Sequence, residues 1–219
     1  TAACRCQADL RISASHNPYY DNGIKFFSSD GYKLPDAIGR RIELLIASGE
    51  LSGVRAPPDE IGRAQRIEDV AGRYVVFLKK TFPMELSLDG MRVVLDCANG
   101  ASYVVGPTAL EELGAEIFPM GVSPNGRNIN EGCGSLYPER VADKVKEVRA
   151  DVGIALEGDA DRIGRVDEKG AIIDGDQLLA LCARDMVERG VLRGGQVVST
   201  VMSNLGLEKA LQELGVGLL

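Results

Sequence analysis

Two short stretches concentrate the groups able to do chemistry. ISASHNPYYDNGIKFF, Ile12 to Phe27, holds the only histidine among 219 residues, His16, next to Ser15 and an Asn-Pro turn, with Lys25 shortly after. EGDADR places three carboxylates, Glu157, Asp159 and Asp161, at alternating positions and closes on Arg162. A loop serine becomes a nucleophile when its neighbours activate it, and an imidazole can be charged or neutral near physiological pH. Alternating carboxylates among small residues suit a hard cation, most simply Mg2+. Together they predict that Ser15 carries phosphate and that a cation at Glu157, Asp159 and Asp161 neutralises it, with His16, Lys25 and Arg162 as donors. Phosphoryl transfer asks mainly for such positioning and charge stabilisation.

Blander readings of the same residues stay open at this level. Ser, Asn and Pro all favour turns, and Asn22-Gly23 is a further turn signal. EGDADR also reads as a solvated acidic turn. A Ser-His-Asp hydrolase is less attractive, because adjacent serine and histidine rarely reach triad geometry and no G-x-S-x-G elbow is present. An EF-hand count from Glu157 does reach Glu168 at position twelve, but Arg162 stands at position six, where the loop needs glycine.

Composition narrows the class. Hydrophobic residues make up 45% and charged residues 26%, a globular balance. A formal charge of −7 argues against a broad nucleic-acid surface. Five cysteines, at 4, 6, 97, 133 and 182, form no Cys-x-x-Cys pair and suggest neither a disulfide framework nor a zinc site. A reducing cytoplasm is the expected home. No apolar run is long enough to span a bilayer, and oligomeric state is not legible.

The positioning elements follow from periodicity. TAACRCQADL gives no clear period, and Ile24–Phe27 with Tyr32–Leu34 around the turn SSDG predicts a hairpin. Ile38, Ile42, Leu45 and Ile46 predict a helix ending at Gly49; after the turn-rich linker SGVRAPPDEIG, Ile67, Val70, Tyr74, Phe77 and Leu78 predict another. A fresh unit begins near Met84. MRVVLDCANGAS reads as strand then turn, Ala109–Leu113 as helical, Val141, Val145 and Val148 as a helix stripe, and VGIAL as a buried strand. EGDADR then falls at a strand's carboxyl end, where ligands gather in open α/β sheets. Arg165–Val166, DEKG and AIID predict a second hairpin, Gln177–Val187 a helix, QVVSTVM a strand and Leu207–Leu214 a last helix.

ISASHNPYYDNGIKFF paired with EGDADR resembles the α-D-phosphohexomutases. LDCANGAS, NINEGCGS (Asn128–Ser135), DGDQ (Asp174–Gln177) and TVMSNLGLEKAL (Thr200–Leu211) follow in the family's order. The NIN, CGS and MSNLG elements favour the branch of phosphoglucosamine mutases over those acting on mannose or glucose phosphates. A non-catalytic phosphosugar- or Mg2+-binding module is the alternative of a different class. The resemblance implies tandem α/β domains with mixed sheets, divided as 1–84 with the serine loop, 85–174 with the metal loop and 175–219 as the start of a third. It implies that Ser15 is the phosphorylated serine, that Mg2+ bridges it to Glu157, Asp159 and Asp161, and that Arg162, His16 and Lys25 lie near the transferring phosphate, Lys25 as general acid/base. The substrate implied is a phosphosugar, interconverted between its 6- and 1-phosphates through a bound glucosamine 1,6-bisphosphate or related sugar bisphosphate. Glu157 stands where the family loop usually begins with Asp, and QADLR stands where an apolar strand usually precedes the serine loop, which predicts an aberrant N-terminal edge. Truncation at both ends is also expected, and with it negligible activity for this segment alone.

Overall fold

The computed structural model describes residues 6–53 and 55–219; the opening residues TAACR, with Cys4, and Val54 of the turn-rich linker lie outside that description. Its strands fall into three sheets.

The N-terminal edge corrects the sequence expectation. Ala8–Ser13 (β1) is a six-residue strand, antiparallel to Gly23–Ser28 (β2), with Arg11 opposite Lys25 and Ser13 opposite Gly23. Both of its faces are largely open, so no apolar period marks it; the Arg11 guanidinium lies 4.5 Å from the centre of the Phe27 ring and adds a cation–π contact. The expected hairpin around SSDG shrinks to one bridge, Phe27 to Lys33, on the edge of β2 away from β1, because Pro35 follows closely and cannot continue the donor row. Helices Asp36–Ser48 (α1) and Val70–Lys79 (α2) follow, the second starting three residues beyond Ile67.

The central sheet is mixed. Its strands run Glu116–Met120 (β4), Arg92–Asp96 (β3), Val152–Leu156 (β5), Ile163–Val166 (β6) and Ile172–Ile173 (β7) in spatial order. The β4–β3 and β3–β5 pairs are parallel and the last two pairs antiparallel. Helices Val105–Glu111 (α3) and Pro138–Val148 (α4) make the crossovers that parallel pairing requires. The α4 stripe behaves as its spacing predicts: Val141 and Val145 are fully buried against Val94, Ala155 and Val166. Strand β4 went unread because Pro119 breaks its donor row, which only an edge strand tolerates.

The last unit pairs Gly175–Glu188 (α5) with Leu205–Glu213 (α6) over the short parallel strands Gln196–Val197 (β8) and Gly217–Leu218 (β9). Asp174 and Gln177 form a reciprocal capping box at the start of α5. QVVSTVM is strand only in its first two residues, because β9 offers only two to pair with. Leu207 and Leu211 are buried with Ala183 and Val216 in a core separate from that under the central sheet. Leu211→Ala should therefore cost about 2–5 kcal/mol in denaturant unfolding. Hydrogen exchange should quicken in α5 and α6 while β3 and β5 stay protected; equal loss in both would mean one cooperative block.

Candidate functional site

Strand order β4-β3-β5 places a topological switch point between β3 and β5, and the crevice outside such a point is where open α/β sheets hold ligands. The loops that leave β3 and β5, at 97–101 and 157–161, meet there: the Ala101 amide donates to the Gly158 carbonyl at 2.8 Å. Asp96, fully buried at the end of β3, accepts from the amides of Ala98 (2.9 Å) and Gly134 (2.8 Å), so two loops are tied to one carboxylate. Six described residues other than glycine have positive φ; Ala98, Asn99 and Ala160 sit in these two loops, and Ser15 and Asn130 in two further loops bonded to them. Left-handed backbone of that kind costs about a kcal/mol or more per residue and persists where surrounding bonds fix it.

The serine loop is drawn onto the acidic loop from two sides. The Ser13 hydroxyl donates to Asp159 Oδ1 and accepts from the Ser15 amide at 2.9 Å, while Lys25 Nζ donates to Asp159 Oδ2 at 2.5 Å. Asn130 Nδ2 donates to the carbonyls of Ser15 and Asn17, and Asn130 Oδ1 accepts from the Gly158 amide. The strand register explains the first tie, since β1 and β2 project Ser13 and Lys25 from neighbouring positions.

Glu157 is wholly buried. Its Oε1 accepts from the amides of Asp159 and Asp161, each at 3.0 Å, so the first carboxylate folds the loop that carries the other two. Oε2 is buried without a hydrogen-bond partner. A buried carboxylate oxygen left unmatched is costly, and that orphan, together with an all-oxygen donor set, fits a hard cation. Among the described residues no three His, Cys, Asp or Glu side chains already converge as a metal centre.

Burial works against an ionised Asp159, but the bonds from Lys25 and Ser13 and the charges of Lys25 and Arg11 outweigh it and hold its carboxyl below the ordinary value. The bond to Asp159, aided by the charges of Asp159, Asp161 and Glu157, raises Lys25 despite its own desolvation. The Asp159 contribution to stability is thus present above the unfolded carboxylate value and lost as pH falls through the folded one. That of Lys25 is present below the ordinary lysine value and lost as pH rises through the raised one. With EDTA present, the amide signals of Ser13 and Asp159 in NMR spectra should hold steady from about pH 5 to 10 and move at both extremes; Lys25→Met should abolish the alkaline movement. Lys25 is 41% exposed, so solvent screening keeps the energetic effect small.

Of the residues singled out by sequence, Lys25 and Asp159 touch directly, and Ser15 is joined to Gly158 through Asn130. Lys25, Asp159 and Asp161 line a cleft of about 650 Å³ with Arg11, Ser13 and Tyr103. His16 instead lines a different cleft, of about 390 Å³, with Tyr19, Tyr20, Arg127 and Tyr137, and its Nδ1 is buried without a partner. Asp161 and Arg162 are exposed at the outer end of the acidic loop. Ser13 and Asn130 escaped the sequence reading. Ser13 lies two residues from Ser15 inside ISASHNPYYDNGIKFF, with nothing in its residue type to single it out; Asn130 stands in the sequence only as the second asparagine of NIN. The thiols of Cys97 and Cys133 lie beneath the site, and burial pushes both up to about 11, so neither is a ready nucleophile. No helix of the described residues is long and apolar enough to cross a membrane.

Comparison with known proteins gives one answer. Sequence models of phosphoglucomutase/phosphomannomutase alpha/beta/alpha domains I, II and III match residues 1–52, 72–170 and 174–219. The chain is 57% identical over 215 residues to a phosphoglucosamine mutase of Geotalea uraniireducens, covering 98% of this chain and 47% of that protein. It is 57% identical over 219 residues to another from Nitratidesulfovibrio vulgaris, covering 100% and 49%. The chain therefore spans about half the length of the curated relatives it matches. Among solved structures, a phosphoglucomutase/phosphomannomutase family protein of Burkholderia thailandensis superposes with a TM-score of 0.72 at 26% identity, over 97% of this chain and 44% of that one. The N-acetylphosphoglucosamine mutase of Aspergillus fumigatus, solved with GlcNAc-6P and magnesium, shares the fold at a TM-score of 0.58 and 20% identity, over 100% and 56%.

Proposed function

Since this chain belongs to the phosphoglucomutase/phosphomannomutase family, we propose that it is the serine- and metal-loop portion of a cytoplasmic phosphoglucosamine mutase, interconverting glucosamine 6-phosphate and glucosamine 1-phosphate. The observation that carries this reading is the joining of the Ser15 loop to the acidic loop by Ser13, Lys25 and Asn130. In the proposed cycle the bond between phosphorus and Ser15 Oγ breaks as a sugar hydroxyl oxygen bonds to phosphorus. The hydroxyl gives up its proton, and Ser15 Oγ ends protonated. The resulting sugar 1,6-bisphosphate stays bound, turns, and returns its other phosphoryl group to Ser15.

Lys25, held as the ammonium by Asp159, is suited to donate a proton or hydrogen bond at the phosphate, and must part from Asp159 to act as a base. His16 and Arg162 are the further donors in this proposal. Glu157, Asp159 and Asp161, with the phosphate on Ser15, would hold Mg2+. When bound, Mg2+ supplies charge neutralisation to the transferring phosphoryl group. The division at 84 and 174 gives each loop its own domain and puts the chemistry at their junction.

Intact-mass measurement tests the reading. Exposure to glucosamine 1,6-bisphosphate and Mg2+ should add one phosphate, mapped to Ser15 and lost in Ser15→Ala. An unmodified serine would favour a non-catalytic phosphosugar- or Mg2+-binding module. The 219 residues alone should form negligible glucosamine 1-phosphate in a coupled assay, since contacts to the non-reacting phosphate and sugar hydroxyls help to position the reacting atoms; robust turnover would refute that expectation.

A further inference from the structure

Asn130 is 7% exposed and sits between two loops that are far apart in sequence. Its Nδ2 donates to Ser15 O at 2.7 Å and to Asn17 O at 2.9 Å; its Oδ1 accepts from the Gly158 amide at 2.9 Å. Its own amide donates to Ala98 O, on the loop after β3, at 2.9 Å, which fixes Asn130 at a φ of 58° in the segment between β4 and α4. Both side-chain donors and the acceptor are thereby engaged, and each partner is backbone. A carboxamide alone suits this place. Aspartate would set acceptors against two carbonyls, histidine cannot give two donors from one atom, and glutamine is longer by a methylene.

We infer that Asn130 is a positioning residue: its carboxamide fixes the Ser15 loop in register with the acidic loop, so that the serine and the Glu157–Asp161 carboxylates address the same phosphate. The inference rests on the phosphoserine reading for its consequence, while the tie itself stands on the geometry. Asn128 provides the matched control. It lies two residues away in the same NIN stretch, but its side chain serves only its own turn, donating to Ser123 O at 3.0 Å and accepting from the Asn125 amide at 2.9 Å.

Two measurements separate the tie from the reaction. In hydrogen exchange on the 219-residue chain, Asn130→Ala should speed exchange at the Gly158 amide by about tenfold or more. Asn130→Asp should leave Gly158 protected, because an acceptor remains, yet speed exchange of the Asn17 amide, which bonds Ala14 O within the serine loop. Asn128→Ala should alter neither. Unchanged exchange at Gly158 in Asn130→Ala would overturn the inference. In the whole protein, Asn130→Asp should lower kcat for glucosamine 6-phosphate by about a hundredfold, with KM within about threefold, and Asn128→Ala should lower neither. A loss confined to KM, or one that Asn128→Ala reproduces, would also overturn it. Should the unsubstituted protein take no phosphate on Ser15, the phosphoserine reading falls, and the exchange measurement alone decides whether Asn130 joins the loops.

Discussion

Gly158→Ala is expected to force the serine loop off the acidic loop and to cut phosphoryl transfer at Ser15 by about a hundredfold or more. A Cβ on Gly158 would fall inside contact distance of the Ser15 carbonyl oxygen, 2.7 Å from Ile129 Cδ1 and 3.1 Å from Asn130 Nδ2. The first of these obstacles is backbone that Asn130 already holds, so it cannot swing aside as a flexible side chain would. The same loop is closed from below, because a Cβ on Gly100 would run into the Gly158 backbone. The methyl group therefore has to be accommodated by separating loops 13–17 and 157–161. Overpacking of this kind costs about 1–3 kcal/mol, which a core of this size survives, so the chain should fold and fail at the reaction. Gly164→Ala is the comparison: its nearest neighbour is Ala155 Cβ at 3.5 Å, an ordinary contact. Circular dichroism should find both variants folded, and phosphate incorporation from glucosamine 1,6-bisphosphate into the whole protein should fall only for Gly158→Ala. Incorporation by Gly158→Ala within threefold of the unsubstituted protein would show that the close approach of the two loops does not matter.

How far such contacts could be read from sequence depends on whether they leave a period behind. The α4 stripe Val141, Val145 and Val148 does, because one face of a helix must be apolar to cover a sheet. The buried run VGIAL is legible for the same reason, and its end marks the acidic loop. Strand β1 leaves no such trace, since a two-stranded ribbon open on both faces imposes no alternation. In the site itself, Ser15, Lys25, Glu157, Asp159 and Asp161 stand out by residue type. The ties by Ser13 and Asn130 do not: they are made with backbone atoms 113 and 115 residues away and with a carboxylate 146 residues away. Nothing local encodes a bond of that span; it exists only once the switch point of the central sheet has brought its loops under the hairpin.

Glu157→Gln should leave the metal-free chain folded and remove most of its response to Mg2+. In the structure Glu157 serves as a brace, with Oε1 accepting from the amides of Asp159 and Asp161. Glutamine retains a carbonyl oxygen for that work, so the loop should persist and the melting temperature should change by only a few degrees. What glutamine removes is the charge on a buried carboxylate whose other oxygen has no partner. For the unsubstituted chain, Mg2+ at a hundred times its dissociation constant should add about 2.7 kcal/mol of stability, read as a rise in melting temperature of several degrees. The glutamine variant should rise by much less at the same concentration. Glu157→Asp separates the two roles in the opposite sense: it keeps the charge but draws the oxygen back by a methylene from the two amides. It should lose about 1–3 kcal/mol without metal, as expected for buried donors left unmatched, while still responding to Mg2+. An equal Mg2+-induced rise in the unsubstituted chain and in Glu157→Gln would remove Glu157 from the proposed ligand set. The brace would stand, and the cation would then have to be held by Asp159, Asp161 and the phosphate on Ser15 alone.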